Sequence, residues 1–231
     1  MPRPPQGHPL LVQASSSEDG KEFAARWAEA IFTAQQTLED AQAFYKDVKA
    51  RASGHGRSPD DIKILPGFSP VLGETQAETE DKETQLHALV TPERALTQLS
   101  MFLKVDLASC PLDNPVPELP PAELVNGHQS RYQLIRDLIE RDRPTIRQLI
   151  FPLASGRGHH TFAGTARQAA DRLEEWFTKG AADGFNIMPA LLPNGLNDFA
   201  DKVVPASIDK GAAMNYNKVV SDFPINSIGG C

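Results

Sequence analysis

Short apolar runs alternate with amphipathic stretches along the first seventy residues. Residues 10–12 form a continuous apolar run, which is typical of a strand buried on both faces of a parallel sheet. Residues 30–34 and 62–72 are further strand candidates. In the last of these we expect Pro66 and Gly67 to introduce a bend or bulge, because proline cannot donate to a sheet ladder.

Two helical patterns lie between these strands. Residues 22–30 carry apolar side chains at helical spacing, and residues 38–52 carry an apolar face behind Thr37, a suitable N-cap. Strand, helix, strand, helix and strand thus follow one another. This order predicts an α/β fold with a parallel sheet and right-handed crossovers.

The pattern changes at residue 74. A polar, acidic helix is predicted for residues 75–89 and a more apolar one for residues 92–102. Residues 105–124 hold five prolines and predict a long irregular segment. An irregular segment of that length inside a compact chain is either functional or disordered.

The remaining chain returns to helical and strand patterns. A glycine-rich turn is predicted for residues 155–160, followed by Gly164 and Thr165 before the next helix. Helices are predicted for residues 130–141, 145–151, 166–179 and 196–204, and a last strand for residues 185–188. Phe185, Asn186 and Met188 are candidates either for a pocket lining or for the core.

Composition and charge narrow the function classes. The chain has 231 residues, of which 40% are apolar, so it can bury a sizeable core. Its formal net charge of −7 argues against nucleic acid or an anionic membrane as the main partner. The sequence contains no apolar run long enough to span a bilayer and no apolar signal core. We therefore expect a soluble, cytoplasmic protein.

The sequence gives no support for a metal site. His159 and His160 are adjacent, so their side chains point apart, and no cysteine or carboxylate follows at ligand spacing. Cys110 and Cys231 have no paired spacing and are expected to be inert thiols.

Three consecutive serines follow the first predicted strand. Ser16 or Ser17 can cap a helix whose first turn holds Glu18 and Asp19. The free N–H groups of such a turn, with two hydroxyls beside them, can hold a phosphate. The alternative is that the serines only cap the helix.

The serine turn lies in the first of four motifs that follow one another along the chain. They are residues 9–20 (PLLVQASSSEDG), residues 30–35 (AIFTAQ), Gly158-His159 with Gly164-Thr165, and residues 180–189 (GAADGFNIMP). Together they resemble the second half of a bacterial-luciferase-like, flavin-dependent monooxygenase. The subgroup includes nitrilotriacetate monooxygenase component A and dibenzothiophene-sulfone monooxygenase. The resemblance runs from about residue 3 to residue 205.

The resemblance implies a partial TIM (β/α)8 barrel, approximately its second half. Residues 1–205 would form this half-barrel, with a lid insertion at about residues 74–128, and residues 206–231 an irregular tail. The first four strand-helix units of the barrel would be absent. Four strands of an open barrel leave two free edges, which favours dimerisation.

The resemblance also implies an activity. Reduced FMN, supplied by a separate flavin reductase, would serve the oxygenation of a small organic substrate by O2. Ser16 and Ser17 would bind the FMN phosphate, and Ser15 stands where the family commonly has glycine. His159 would lie near the flavin end of the barrel, where it either holds the loop or touches a ligand. No catalytic residue is assigned, because the residues around the flavin ring come from the first half of the barrel.

Two alternatives remain open. The first is a non-catalytic partial barrel that dimerises or binds a phosphate-bearing ligand. The second is an unrelated α/β enzyme in which the serine turn binds a sugar phosphate.

Overall fold

The computed structural model describes residues 7–125, 129–150 and 158–208. The strands of these residues are β1 (Val12–Ala14), β2 (Ala30–Thr33), β3 (Lys63–Leu72), β4 (His160–Gly164) and β5 (Asn186–Ile187). The helices are α1 (Glu18–Trp27), α2 (Leu38–Gly54), α3 (Gln76–Ala88), α4 (Pro92–Leu103), α5 (Gln129–Asp142), α6 (Ala166–Thr178), α7 (Asn194–Asp198) and α8 (Val204–Ile208). Short 3-10 turns cover Pro59–Asp61 and Ala122–Leu124.

The predicted parallel sheet is confirmed. Its strand order is β1-β2-β3-β4 with parallel pairing throughout, and β5 pairs with β3. β1 therefore lies at an edge of the described sheet. The expected burial of residues 10–12 is wrong: Leu10, Leu11 and Val12 are 38%, 45% and 59% exposed, and the strand begins only at Val12. An apolar run favours a strand but does not say which strands flank it.

The expected interruption of β3 is also wrong. β3 is a continuous strand of 10 residues. Its pairing with β2 ends at Thr33 opposite Pro66, and its pairing with β4 begins at Phe68 opposite His160. Pro66 and Gly67 thus lie where the strand changes partner, which is where a missing donor disturbs the ladders least.

β4 differs from the prediction, which places its residues in a glycine-rich turn and the continuation of that turn. Five residues that begin His-Thr give only a weak apolar alternation. Residues 151–157, which include most of that turn and the end of the helix predicted for 145–151, lie outside the described residues.

The helices follow their predicted caps more closely. α2 begins behind Thr37, whose hydroxyl accepts a hydrogen bond from the Asp40 N–H at 3.1 Å, as predicted. α1 begins at Glu18, directly behind its predicted cap, and ends at Trp27, before the end of the helical pattern at residue 30. It buries its alanines, while Phe23 and Trp27 are exposed. The last predicted helix is divided into α7, a π-helical turn at Phe199–Val203, and α8.

The described residues divide into two compact units. The first comprises residues 7–67, 166–186 and 197–208, and its core lies between α1, α2, β2 and β3. The second comprises residues 68–125, 129–150, 158–165 and 187–196. Its core includes Leu103, Leu107, Tyr132, Ile135, Ile146 and Leu149. Residues 105–121 are irregular as predicted, although Leu107 is fully buried.

None of the helices in the described part of the chain is long and apolar enough to cross a membrane. Residues 209–231, most of the tail predicted to be irregular, lie outside the described residues.

Candidate functional site

Hydroxyl and amide side chains meet where β1 and β2 end. Ser15, Ser16 and Ser17 follow β1, and Thr33 ends β2 with Gln35 two residues beyond it. Ala14 pairs with Phe32 in parallel register, so both strands end at the same edge of the sheet. The polar side chains that follow them lie together for that reason.

Ser17 is the N-cap of α1, as predicted for Ser16 or Ser17. Its backbone is extended, with φ −70° and ψ 160°, and its hydroxyl accepts from the Gly20 N–H at 3.2 Å. This bond satisfies one of the N–H groups that have no partner within the first turn of a helix. Capping uses the Ser17 hydroxyl as an acceptor only. The hydroxyl proton and the other first-turn N–H groups are separate donors.

Ser15 turns towards the first turn of α1. Its Oγ lies 3.0 Å from Ser17 Oγ and accepts from the Ser17 N–H at 3.2 Å. A Cβ added at Gly20 would lie only 2.2 Å from Ser15 Oγ. Gly20 therefore makes room for the side chain at the position where the resembled family commonly has glycine.

Ser16 belongs to a second set of contacts. Its Oγ lies 3.0 Å from Thr33 Oγ1, and Thr33 Oγ1 accepts from Gln35 Nε2 at 2.9 Å. Thr33 is 2% and Gln35 8% exposed, whereas Ser16 is half-buried. The buried pair thus supports a more accessible serine hydroxyl.

The acidic first turn of α1 is compensated by cations. Glu18 contacts Lys21 Nζ at 2.5 Å and Arg51 at 2.6 Å. Hydrogen bonds from Lys21 and then Arg51 hold the pKa of Glu18 below its usual value. The Asp19 carboxylate is exposed to solvent, which screens its charge. The turn therefore carries less net repulsion towards an anion than its sequence indicates.

A largely buried ion pair fixes the start of β3 in the same unit. Asp183 Oδ2 contacts Lys49 Nζ at 2.8 Å and accepts from the Ile64 N–H at 2.8 Å, while Tyr45 donates to Oδ1 at 2.9 Å. Lys49 also donates to the carbonyls of Pro59 and Ile62. Burial, followed by the Asp183 charge, raises the pKa of Tyr45. This network holds the loop before β5 against the start of β3.

The other predicted residues lie elsewhere. His159 is buried directly before β4, with 8% exposure. Phe185 packs against Trp176 with ring centroids 6.4 Å apart, which supports the core interpretation. Met188 donates its N–H to Phe68 and accepts from the Ser69 hydroxyl. Among the described residues no group of three or more His, Cys, Asp or Glu side chains could hold a metal ion.

Sequence reasoning missed Gly20, Thr33 and Gln35 as parts of this site. Thr33 and Gln35 lie within the AIFTAQ motif. Their signal was the predicted parallel arrangement itself, since residues after neighbouring parallel strands share one edge. Asp183 gave no comparable signal, because it is 119 residues from Ile64.

The fold and the turn define a class of protein. A parallel α/β sheet carries, at the carboxyl ends of two neighbouring strands, hydroxyl groups and the first turn of a helix. Hydroxyls and the first-turn N–H groups of a helix in this arrangement suit a phosphate or another oxyanion.

The chain belongs to the luciferase-like monooxygenase family, whose family model matches residues 1–183. The resemblance stated from the motifs is thereby confirmed. The chain is 46% identical over 210 residues to N-acetyl-S-(2-succino)cysteine monooxygenase of Bacillus subtilis (strain 168). It is 48% identical over 207 residues to nitrilotriacetate monooxygenase component A of Aminobacter aminovorans.

Each match covers most of this chain and part of the relative. The two alignments cover 90% and 89% of this chain but 47% and 45% of the relatives, so the chain spans about half their length. Among solved structures, a riboflavin lyase (RcaE) with modified FMN and riboflavin is similar, with a TM-score of 0.72 at 28% identity. This match covers 90% of our chain and 45% of that one. The mixed α/β fold of this family is therefore confirmed for the chain.

Proposed function

We propose that the chain serves in a two-component, FMN-dependent monooxygenase, in which its serine turn binds the FMN phosphate. The observation that carries the proposal is the serine turn itself, in a chain of the luciferase-like family. The Ser17 hydroxyl caps the first turn of α1, and the adjacent Ser16 hydroxyl contacts Thr33 at the end of β2. Reduced FMN, delivered by a separate flavin reductase, would supply the electrons with which O2 oxygenates a small organic substrate.

The residues of the turn fit a phosphate. The first-turn N–H groups of α1 and the Ser16 and Ser17 hydroxyls are donors, which an oxyanion requires. Lys21 and Arg51 engage the nearby Glu18 carboxylate and so reduce repulsion. Because Ser15 turns towards Gly20, its side chain occupies the helix side of the turn. The role of these residues is to bind and orient the cofactor.

FMN titration of the purified chain, followed by flavin fluorescence, tests the proposal. We expect Ser16→Ala and Ser17→Ala to weaken FMN binding at least fivefold, as the loss of a hydrogen bond to a charged group implies. Ser58→Ala is the matched control, because Ser58 also caps a helical turn, at Pro59–Asp61, away from the site. FMN binding that is absent, or that all three variants retain equally, would contradict the proposal.

One observation favours a second candidate function, a non-catalytic partial barrel that dimerises. Leu10, Leu11 and Val12 at the β1 edge are exposed, and so are Phe23 and Trp27 on α1. Exposed apolar side chains beside a free strand edge favour association.

Sedimentation velocity over a range of concentrations tests this second candidate. We expect Leu11→Lys with Trp27→Glu to shift the chain towards the monomer. Leu89→Lys, which changes an exposed apolar side chain of the second unit, is expected to leave the distribution unchanged. A monomer at all concentrations in the unchanged chain would exclude the candidate.

A further inference from the structure

The Ser16 hydroxyl contacts the buried side chain of Thr33, which is itself hydrogen-bonded to the buried side chain of Gln35. Gln35 Nε2 lies 2.9 Å from Thr33 Oγ1, which lies 3.0 Å from Ser16 Oγ. An amide nitrogen can only donate, so Thr33 Oγ1 is the acceptor in the first contact. In the second contact, between Thr33 Oγ1 and Ser16 Oγ, either hydroxyl can donate. Which one donates depends on the ligand that Ser16 binds.

Only one direction suits an anion. If Thr33 donates to Ser16, the Ser16 proton is available to a ligand oxygen. If Ser16 donates to Thr33, Ser16 presents only lone pairs to the ligand, which repel an oxyanion. A hydroxyl that accepts a hydrogen bond becomes a stronger donor, so donation from Gln35 and then Thr33 polarises the Ser16 hydroxyl towards the ligand.

We propose that Thr33 and Gln35 are positioning residues, which orient the Ser16 hydroxyl so that it donates to the phosphate of bound FMN. The inference rests on the proposed function and deepens it by assigning roles to two residues behind the phosphate turn. Thr33 and Gln35 are buried, with 2% and 8% exposure, so they act through Ser16. The parallel register of Ala14 with Phe32 brings Thr33 beside the serine turn.

Two substitutions of Thr33 separate its hydroxyl from its packing. Thr33→Val replaces the hydroxyl by a methyl group of similar size and keeps the β-branched shape that a strand favours. Thr33→Ser keeps the hydroxyl and removes the methyl group. If the hydroxyl orients Ser16, FMN affinity falls about fivefold in Thr33→Val and is restored to within about twofold in Thr33→Ser.

The comparison of FMN with riboflavin excludes a merely structural role. The two flavins differ only in the phosphate, so the affinity for riboflavin is expected to be the same in all Thr33 variants. A general loosening of the fold would weaken both flavins and lower the thermal midpoint in step. The titrations are therefore run with both flavins and are accompanied by thermal denaturation of each variant.

Gln35 supplies an independent check. Gln35→Glu replaces the donating amide by a carboxylate. The Thr33 hydroxyl then donates to this carboxylate, and the Ser16 hydroxyl donates to Thr33 instead of to the ligand. FMN affinity is expected to fall by more than in Thr33→Val, with Gln35→Leu between the unchanged chain and Gln35→Glu. This series decides the matter even if Thr33→Val fails to fold.

The outcomes are distinguishable. FMN binding that Ser16→Ala weakens but Thr33→Val and Gln35→Glu leave unchanged would overturn the positioning roles and keep the phosphate site. Absence of FMN binding by the unchanged chain would contradict both the phosphate site and the positioning roles.

Discussion

Gly20 shows how one missing side chain shapes the serine turn. A Cβ at this position would approach Ser15 Oγ to 2.2 Å and Ser15 Cβ to 2.4 Å. Separations of this size require Ser15 to move, and with it the hydrogen bonds that Ser15 makes to Ser17. Gly20 and Ser15 are thus a coupled pair at the beginning of α1.

Gly20→Ala is expected to destabilise the fold by about 1–3 kcal/mol, the usual cost of overpacking. Urea denaturation measures it. Gly54→Ala, the matched control, meets nothing within 4 Å and gains helix propensity, so its stability is unchanged or raised. Adding Ser15→Gly to Gly20→Ala removes the clashing side chain and restores part of the loss. Equal stability of Gly20→Ala and the unchanged chain would show that the turn is not constrained in this way.

Tyr45 reports on the buried Lys49–Asp183 pair through the pH dependence of stability. Burial and the Asp183 charge raise the pKa of Tyr45 above 10.0, its value in an unfolded chain. The stabilisation is fully present below about pH 10, and it is lost as the pH rises from there towards the folded pKa, because the unfolded chain ionises first.

Between pH 8 and pH 11 we expect the unfolding free energy of the unchanged chain to fall by about 1 kcal/mol more than that of Tyr45→Phe. This value allows for the partial solvent exposure of Tyr45. Urea denaturation across this range measures the two profiles. Parallel profiles would mean that Tyr45 ionises equally in the folded and unfolded chains.

At the scale of elements, an ion-pair cluster joins α1 to α2. Arg51 contacts Asp47 at 2.7 Å and Glu18 at 2.6 Å, and Lys21 contacts Asp47 at 2.6 Å. The hydrogen bond from Arg51, together with that from Lys21, holds the pKa of Asp47 below its usual value. The contribution of Asp47 is therefore present above pH 3.8 and is lost as the pH falls through its folded pKa.

Arg51→Met keeps most of the aliphatic stem and removes the charge. At pH 7 we expect a loss of about 1 kcal/mol, since several partly exposed charges share the cluster. The difference from the unchanged chain should shrink in 1 M NaCl and below pH 3. Arg147→Met, which breaks an exposed pair with Asp113, is the control and should cost less than Arg51→Met. Chemical denaturation of both variants decides whether the cluster acts as a unit.

The elements were predictable where local signals were strong. The caps at Ser17 and Thr37 and the amphipathic faces behind them gave α1 and α2 from the sequence. β4 was missed, since its residues form a weak alternation that only pairing with β3 makes a strand. The exposure of the β1 run was not predictable either, because burial depends on the neighbouring strands and not on the run itself.

The candidate site was predictable in part for the same reason. The local sequence pattern predicts Ser16 or Ser17 as a helix cap after a strand. Thr33 and Gln35 lie beside them only because β1 and β2 pair in parallel register. The contact between Lys49 and Asp183 lies beyond any local pattern. Local patterns in the sequence therefore predict the serine turn, whereas the side chains that support it can be identified only from the fold.

At the scale of the whole molecule, the chain combines family membership with about half the length of its curated relatives. The serine turn and its supports, Thr33, Gln35 and Gly20, all lie within the first compact unit. The proposed phosphate site lies within one unit, so we expect phosphate binding there to need no residues of the second unit. Flavin binding through the phosphate is therefore the property that this chain should show by itself.

The ratio of FMN to riboflavin affinity in the unchanged full chain tests this claim most directly. Flavin fluorescence titrations give both dissociation constants under one set of conditions. We predict that FMN binds at least tenfold more tightly than riboflavin, because only FMN presents the oxyanion that the turn can bind. Equal affinities, or no binding of either flavin, would contradict the assignment of the serine turn as a phosphate site.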